Sequence, residues 1–434
     1  MNANLIQVGA AMGNVTPLRE LPNYNGALCH RGDEDTDLLC HAVVLSDEDT
    51  QVALVSCDVT CIDRPLLLRI RDACARKARI PGRQVVVAAT HSHASPATGP
   101  SFLSGALPDP LYLDLLVDRI VATVLAAKET AQPCFVAAGM TDAPGFELNR
   151  RSMRPGGGIA FQRWDGHWPV EGPVDTAMGF LAFEAQDGQP VALVVNYACH
   201  NNVCGGGGGT YHRDLFGRAG DCLREDLPSL RATLFLPAPC GNLICGDPKT
   251  LHMLSGDDAA RRVGQKCAGL VASAYRRAAH RPVSKVRFAS RVLEIPDRPL
   301  SESTFCHDGC RGTDEAARAF ARRRYEPERR AIEDRGYTTC PVEIAALALG
   351  DVAAVTNPAE LFVEFGLEIR QRSPFRTTIV SELTNGYCGY VPAVRAFGHG
   401  GYETHRTVYT SRLIVDAGKI IVQACCELLN AVRS

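Results

Sequence analysis

Short apolar runs alternate with amphipathic helical stretches from one end of this chain to the other, and few architectures tolerate that pattern. Candidate strands are Leu5–Met12, Gln51–Cys57, Gln84–Ala89, Cys134–Gly139, Val191–Ala198, Thr233–Pro237, Ala353–Thr356 and Thr378–Ser381. Each is short, rich in Val, Leu and Ala, and bounded by turn residues, the signature of strands buried on both faces. Helical periodicity marks Arg64–Arg79, Leu111–Glu129, Arg213–Leu227, Asp257–Ala278, Asp314–Gly336, Leu361–Arg372 and Ser411–Arg433. The exchange of strand and helix predicts one α/β domain over residues 1–434, with mixed sheets and surrounding helices.

Composition narrows the function classes. Apolar residues at 46% and charged residues at 22% are an ordinary globular balance, and the net charge is −2. No basic stripe with interleaved aromatics is present, which argues against a nucleic-acid partner. The start Met1–Ile6 lacks a basic segment followed by an apolar one, so no secretory signal is expected and the expected address is the cytoplasm. No run of 18 apolar residues predicts a membrane span. The partner class is a small-molecule substrate, and a homo-oligomer is compatible with the sequence. The 18 cysteines show no Cys-x-x-Cys pairs at zinc-finger spacing and read mainly as small buried hydrophobes.

Ionisable residues collect where apolar strands end. The run Val85-Val86-Val87-Ala88 leads into Thr90-His91-Ser92-His93, and in extended chain both imidazoles would face one site. A second apolar strand delivers His200 beside Asn196, Asn201 and Asn202. A helix start follows at His212-Arg213-Asp214. Ala353–Thr356 leads to Glu360, which reads either as a site carboxylate or as a first-turn acid on a helix. Tyr387 and Tyr390 follow the strand Thr378–Ser381, and core packing with a satisfied hydroxyl is the alternative there. The Gly205–Gly209 loop is either a spacer or an active-site loop, and Arg311–Arg335 reads as a solvated charged helix.

Taken in order, these motifs resemble the N-terminal catalytic domain of the neutral/alkaline non-lysosomal ceramidase family. The resemblance runs through Val8-Gly9-Ala10, Val15-Thr16-Pro17, Val55-Ser56-Cys57-Asp58 and Thr90-His91-Ser92-His93. It continues through Asn149-Arg150-Arg151, the strand ending in His200, Asp214-x-x-Gly217, Phe235 to Asn242, Pro358-Ala359-Glu360 and Asn385 to Tyr390. It implies one Zn2+ held by His91, His200, Glu360 and Tyr390. It also implies His93 as a proton shuttle or oxyanion partner, Arg150 steadying charge, and Asp214 and Tyr387 as further catalytic candidates.

The departures shape the functional expectation. Where ceramidases carry Gly-Asp-x-Ser-Pro, this chain reads Gly241-Asn242-Leu243-Ile244-Cys245, and isoleucine can neither attack nor hydrogen-bond a substrate. No counterpart of the family's C-terminal β-domain is expected. The expectation is a zinc-dependent hydrolase using activated water on an amide or ester of a small soluble substrate, not a true ceramidase. A zinc-dependent lyase or isomerase and a non-catalytic zinc scaffold are the alternatives. Cys199, Cys204, Cys240 and Cys245 are candidates for a replacement nucleophile or metal ligand.

Overall fold

The computed structural model describes residues 5–99, 105–155, 157–161, 168–205, 208–247, 250, 252–302, 315–336 and 338–433. Gly156, Gly206 and Gly207, and residues 311–314 of the charged segment, lie outside the described residues.

Eight strands form the first sheet: β1 Gln7–Asn14, β2 Leu39–Ser46, β3 Gln51–Cys57, β4 Val85–Ala89, β5 Gln132–Asp142, β6 Ala177–Ala185, β7 Pro190–Tyr197 and β8 Ala232–Pro237. Their order is β8-β7-β6-β5-β1-β2-β3-β4, with β7/β8 and β3/β4 parallel and the other pairs antiparallel. Four strands form the second: β9 Arg287–Pro296, β10 Thr339–Leu349, β11 Val352–Thr356 and, after the two-residue strand β12 Glu360–Leu361, β13 Thr377–Ser381. Here β11 and β13 run parallel.

Strict two-residue alternation makes a layered stack of these sheets. Val43 and Leu45 of β2, with Val86 and Ala88 of β4, face Leu347, Leu349, Val352, Ala354 and Ile379 of the second sheet. Ala42, Val44, Val85, Val87 and Ala89 point the other way, onto helices α1 Arg64–Lys77 and α2 Pro110–Glu129. Helices α3 Asp214–Asp226 and α4 Asp257–Arg277 cover the β6–β8 half of that face. The outer face of the second sheet carries α6 Val363–Arg372 and α7 Ala417–Ala431. The expected large α/β domain with mixed sheets and surrounding helices is therefore present. Sharp helix starts at α1 and α2 come from Asp63 and Asp109, whose carboxylates accept the amides of Leu66 and Tyr112.

Some sequence expectations need correction. Strands β2, β6, β9 and β10 were not anticipated. The helix expected from Leu361 starts at Val363, because Glu360–Leu361 pairs with the short strand β14 Tyr390–Val391. Glu360 is therefore not a first-turn acid. The helix expected from Ser411 starts at Ala417, after Arg298 takes the carbonyl of Ser411. Asp314 lies outside the described residues, and α5 spans Glu315–Arg335 with Pro327 inside it.

Parallel pairing brings together the loops after β11 and β13, which end at one edge of the second sheet. Strands β4 and β7, separated by five antiparallel pairings, run in opposite directions, and their loops meet through contacts with the second sheet. His91 follows β4, His200 follows β7, Glu360 follows β11 and Tyr390 follows β13. The two sheets are tied at this edge: Ala89 donates its amide to Leu383, Asn385 to Val87, and Glu382 to Pro237.

Candidate metal centre

His91 and His93 do not lie in extended chain. The strand ends at Ala89, and His91 adopts a left-handed backbone at φ +66°, a conformation that costs a non-glycine residue energy and clusters at functional sites. It is held by its amide on Val59 and by its Nδ1 at 2.7 Å from the carbonyl of Thr60. Nδ1 therefore carries the hydrogen, and Nε2 presents a bare lone pair. The turn brings His93 Nε2 to 3.2 Å from His91 Nε2 all the same.

His200 Nε2 lies 3.0 Å from His91 Nε2, and the three histidines form one cluster of converging ligand atoms. The His200 ring hydrogen-bonds to the backbone of Cys240, with Nδ1 3.8 Å from the Cys240 sulfur. Glu360 Oε2 is 3.5 Å from His91 Nε2 and 4.0 Å from His200 Nε2, and it is buried with no hydrogen-bond partner. Its other oxygen accepts the Tyr387 hydroxyl at 2.6 Å. Burial, reinforced by His91 and Arg150, holds His93 and His200 well below the usual imidazole range, so both are neutral. Imidazoles meeting nitrogen to nitrogen, with an orphaned carboxylate oxygen beside them, are a set of lone pairs without an acceptor. A divalent cation of the zinc type fits that inventory.

Glu360 and Tyr390 are register partners of β12 and β14, which places the tyrosine beside the carboxylate. The guanidinium of Arg150 sits 5.3 Å from the Tyr390 ring centre, and Tyr402 meets the same ring edge-on. Arg150 donates to Glu403 at 2.8 Å and to the Gly241 carbonyl at 2.7 Å, while Arg151 joins Glu403 to Glu171. Burial raises the cost of the Glu403 charge, yet Arg151 and Arg150 outweigh it and hold the carboxyl below its ordinary value. Arg150 is thus fixed in place before any substrate arrives.

Sequence reading missed a clamp at the heart of the site. Glu382, fully buried, accepts the amide of Leu361 at 2.7 Å and the thiol of Cys240 at 3.0 Å. It therefore links the residue after Glu360, in the short β12–β14 pair, to the residue that touches His200, in the loop after β8. Burial, with the nearby Glu360 charge, pushes its carboxyl well above the usual range. A carboxylate directly after the apolar strand β13 was the available signal, the same one that marked Glu360. Tyr24, edge-on to His93 at 5.9 Å, and Tyr402 carried no sequence signal.

The motif that departs from the ceramidase pattern has a structural use here. Asn242 accepts the amide of Val363 and donates to Glu364, which fastens the start of α6. Ile244 is fully buried in a short strand opposite Leu148. A Cβ at Gly241 would lie 2.5 Å from the Glu360 carbonyl oxygen, so only glycine permits that approach. Burial pushes the thiols of Cys199, Cys204 and Cys240 up, which removes the thiolate a nucleophile needs.

Asp214 serves the loop behind His200. Its carboxylate accepts the amides of Val203, Cys204 and Leu215, at a left-handed residue of φ +60°. Nearby, Cys204, His212 and Asp257 form a second group with ligand-like spacing.

No protein-family model and no curated protein matches the chain. Solved structures do. A ceramidase complexed with C2 matches with a TM-score of 0.74 at 16% identity, covering 99% of this chain and 75% of that one. The neutral ceramidase from Pseudomonas aeruginosa matches with a TM-score of 0.72 at 16% identity, covering 99% of this chain and 74% of that one. The chain therefore has a ceramidase-like α/β fold. At this identity the likeness is one of fold.

Proposed function

We propose that this chain is a zinc-dependent hydrolase acting on an amide or ester bond of a small soluble substrate, with residues 1–434 working as one domain. The observation that carries the reading is the meeting of three imidazoles with the orphaned Glu360 oxygen. His91, His200, Glu360 and Tyr390 are the residues that would hold the metal. Bound there, zinc supplies Lewis-acid polarisation of a carbonyl oxygen and lowers the pKa of water.

The chain's own groups do the rest. His93, neutral and backed by Tyr24, can accept a proton at Nε2 and return it to a leaving group. Tyr387 fixes one Glu360 oxygen and leaves the other to face the imidazoles. Arg150, locked by Glu403, sets positive charge beside Tyr390 for an oxyanion or an acidic substrate group. Buried Ile244 at the position of the ceramidase serine supports a substrate other than ceramide.

Elemental analysis and product analysis in heavy-oxygen water test the reading together. Close to one zinc per chain, with solvent oxygen in the product of an amide or ester screen, supports it. Absence of zinc after reconstitution overturns it, and a product without solvent oxygen moves the chain to lyase or isomerase chemistry.

A further inference from the structure

Strand β4 lies at one edge of the first sheet, and that edge is closed by side chains and a loop rather than by another strand. Arg71 Nε donates to the Val85 carbonyl at 3.0 Å, and the Ala89 amide donates to the Leu383 carbonyl. Between them, Asn385 serves Val87 twice. Its backbone amide donates to the Val87 carbonyl at 2.9 Å, and its side-chain oxygen accepts the Val87 amide at 3.0 Å. One residue thus does the work of a paired strand. The loop bends sharply to allow it, with Leu383 at φ +52° and Asn385 at φ +62°. Non-glycine residues hold such left-handed backbone only where their surroundings fix it.

The Asn385 amide is oriented from its other side. Arg71 grips the buried Glu343 carboxylate through two bonds of 2.7 Å, and Arg64 Nη1 lies 3.7 Å from the same group. A carboxylate so held accepts and cannot donate. The Asn385 nitrogen faces it at 3.4 Å from Oε1, which leaves the Asn385 oxygen for Val87. Strand β4 leads to His91, and the Asn385 loop leads to Tyr387 and Tyr390. Groups delivered by separate sheets converge only where their supports are held in register.

We propose that Asn385 is a positioning residue that registers the tyrosine loop on the strand delivering His91, with Glu343 and Arg71 setting its amide. Its effect on zinc rests on the metal reading above, whereas its hold on Val87 does not.

Asn385→Asp keeps an acceptor for Val87 and tolerates left-handed backbone, but turns a second oxygen toward Glu343. It should weaken zinc by about 10-fold or more and change the d–d spectrum of the cobalt-loaded protein. Deuterium exchange at the Val87 and Asn385 amides should also quicken. Adding Glu343→Gln, which exchanges donor and acceptor across the same contact, should reverse all three effects. Asn385→Gly, which suits the backbone and leaves the Arg71–Glu343 pair intact, should match Asn385→Asp and gain nothing from Glu343→Gln. Wild-type affinity, spectrum and exchange in both single variants overturn the proposal while leaving the metal reading in place. So does a double variant no better than Asn385→Asp. If the wild type takes up neither zinc nor cobalt, the metal reading falls, and amide exchange alone decides the role of Asn385. If Asn385→Asp does not fold, its rescue by Glu343→Gln and the behaviour of Asn385→Gly decide.

Discussion

Among the described residues, two groups of side chains have the spacing of metal ligands, and they differ in one respect that matters. The His91–His93–His200 group points bare imidazole nitrogens at each other, because the Nδ1 hydrogen of His91 is engaged by a backbone carbonyl. In the Cys204–His212–Asp257 group the polarity is reversed. The Asp214 amide donates to His212 Nδ1 at 2.8 Å, so the hydrogen sits on Nε2, the atom that faces Asp257 at 3.0 Å. Arg218 already fills the place of a cation there, with Nη2 3.1 Å from His212 Nε2 and two hydrogen bonds to Asp257. Spacing alone makes a candidate of both. The tautomer and the local charge suit only one of them to a metal.

The comparison can be broken outright by paired substitutions. His91→Ala with His200→Ala should abolish bound zinc, whereas Cys204→Ala with His212→Ala should leave it intact, read by elemental analysis of purified protein. The reverse pattern would transfer the metal to the second group.

Next in size is the clamp beneath the first group. Glu382→Ala should weaken zinc by about 10–100-fold, as loss of outer-shell support does at metal sites. The cobalt-substituted protein should also show a changed d–d spectrum, which separates altered ligand placement from general destabilisation. An unchanged affinity and spectrum would reduce Glu382 to a packing residue.

His93 sharpens the assignment within the first group. His93→Ala should retain zinc and lose nearly all turnover, by about 10²–10⁴-fold for a lost proton-transfer group. Loss of zinc in this variant would make His93 a ligand instead.

The smallest effect concerns acidity at the second group. Burial, with Arg218, lowers the His212 pKa against the partial opposition of Asp257. Its folded value lies below the unfolded value near 6.5, so the unfolded chain binds the proton more readily. Its contribution to stability is therefore present above about pH 6.5 and lost as the pH falls below it. Denaturant unfolding of His212→Gln should show a shallower acid limb than the wild type, by at most about 1.4 kcal/mol per pH unit. Equal slopes would mean His212 titrates alike in both states.

Much of the site was legible because its residues share one local signal. His91, His200 and Glu360 each end or closely follow an apolar strand, and periodicity finds such ends well. Tyr390 and the role of Ile244 came from motif resemblance. Strands β2, β6, β9 and β10 escaped notice because their apolar character is diluted by polar residues such as His41, Glu184, Arg291 and Glu343. The His-x-His motif was read as extended, and the left-handed turn at His91 has no local marker such as glycine.

The sequence by itself determined the α/β class, the strand ends at which side chains could gather, and the residue types available there. These follow from two- and 3.6-residue periodicity, which acts over a few neighbouring residues. Only the tertiary structure decided which histidines offer a lone pair. That depends on Thr60 and Asp214 as hydrogen-bond partners, on Arg218 as a resident cation, and on Glu382 joining the β12–β14 pair to the loop after β8. Glu382 meets Cys240 across 142 residues, and no local pattern records a contact at that separation.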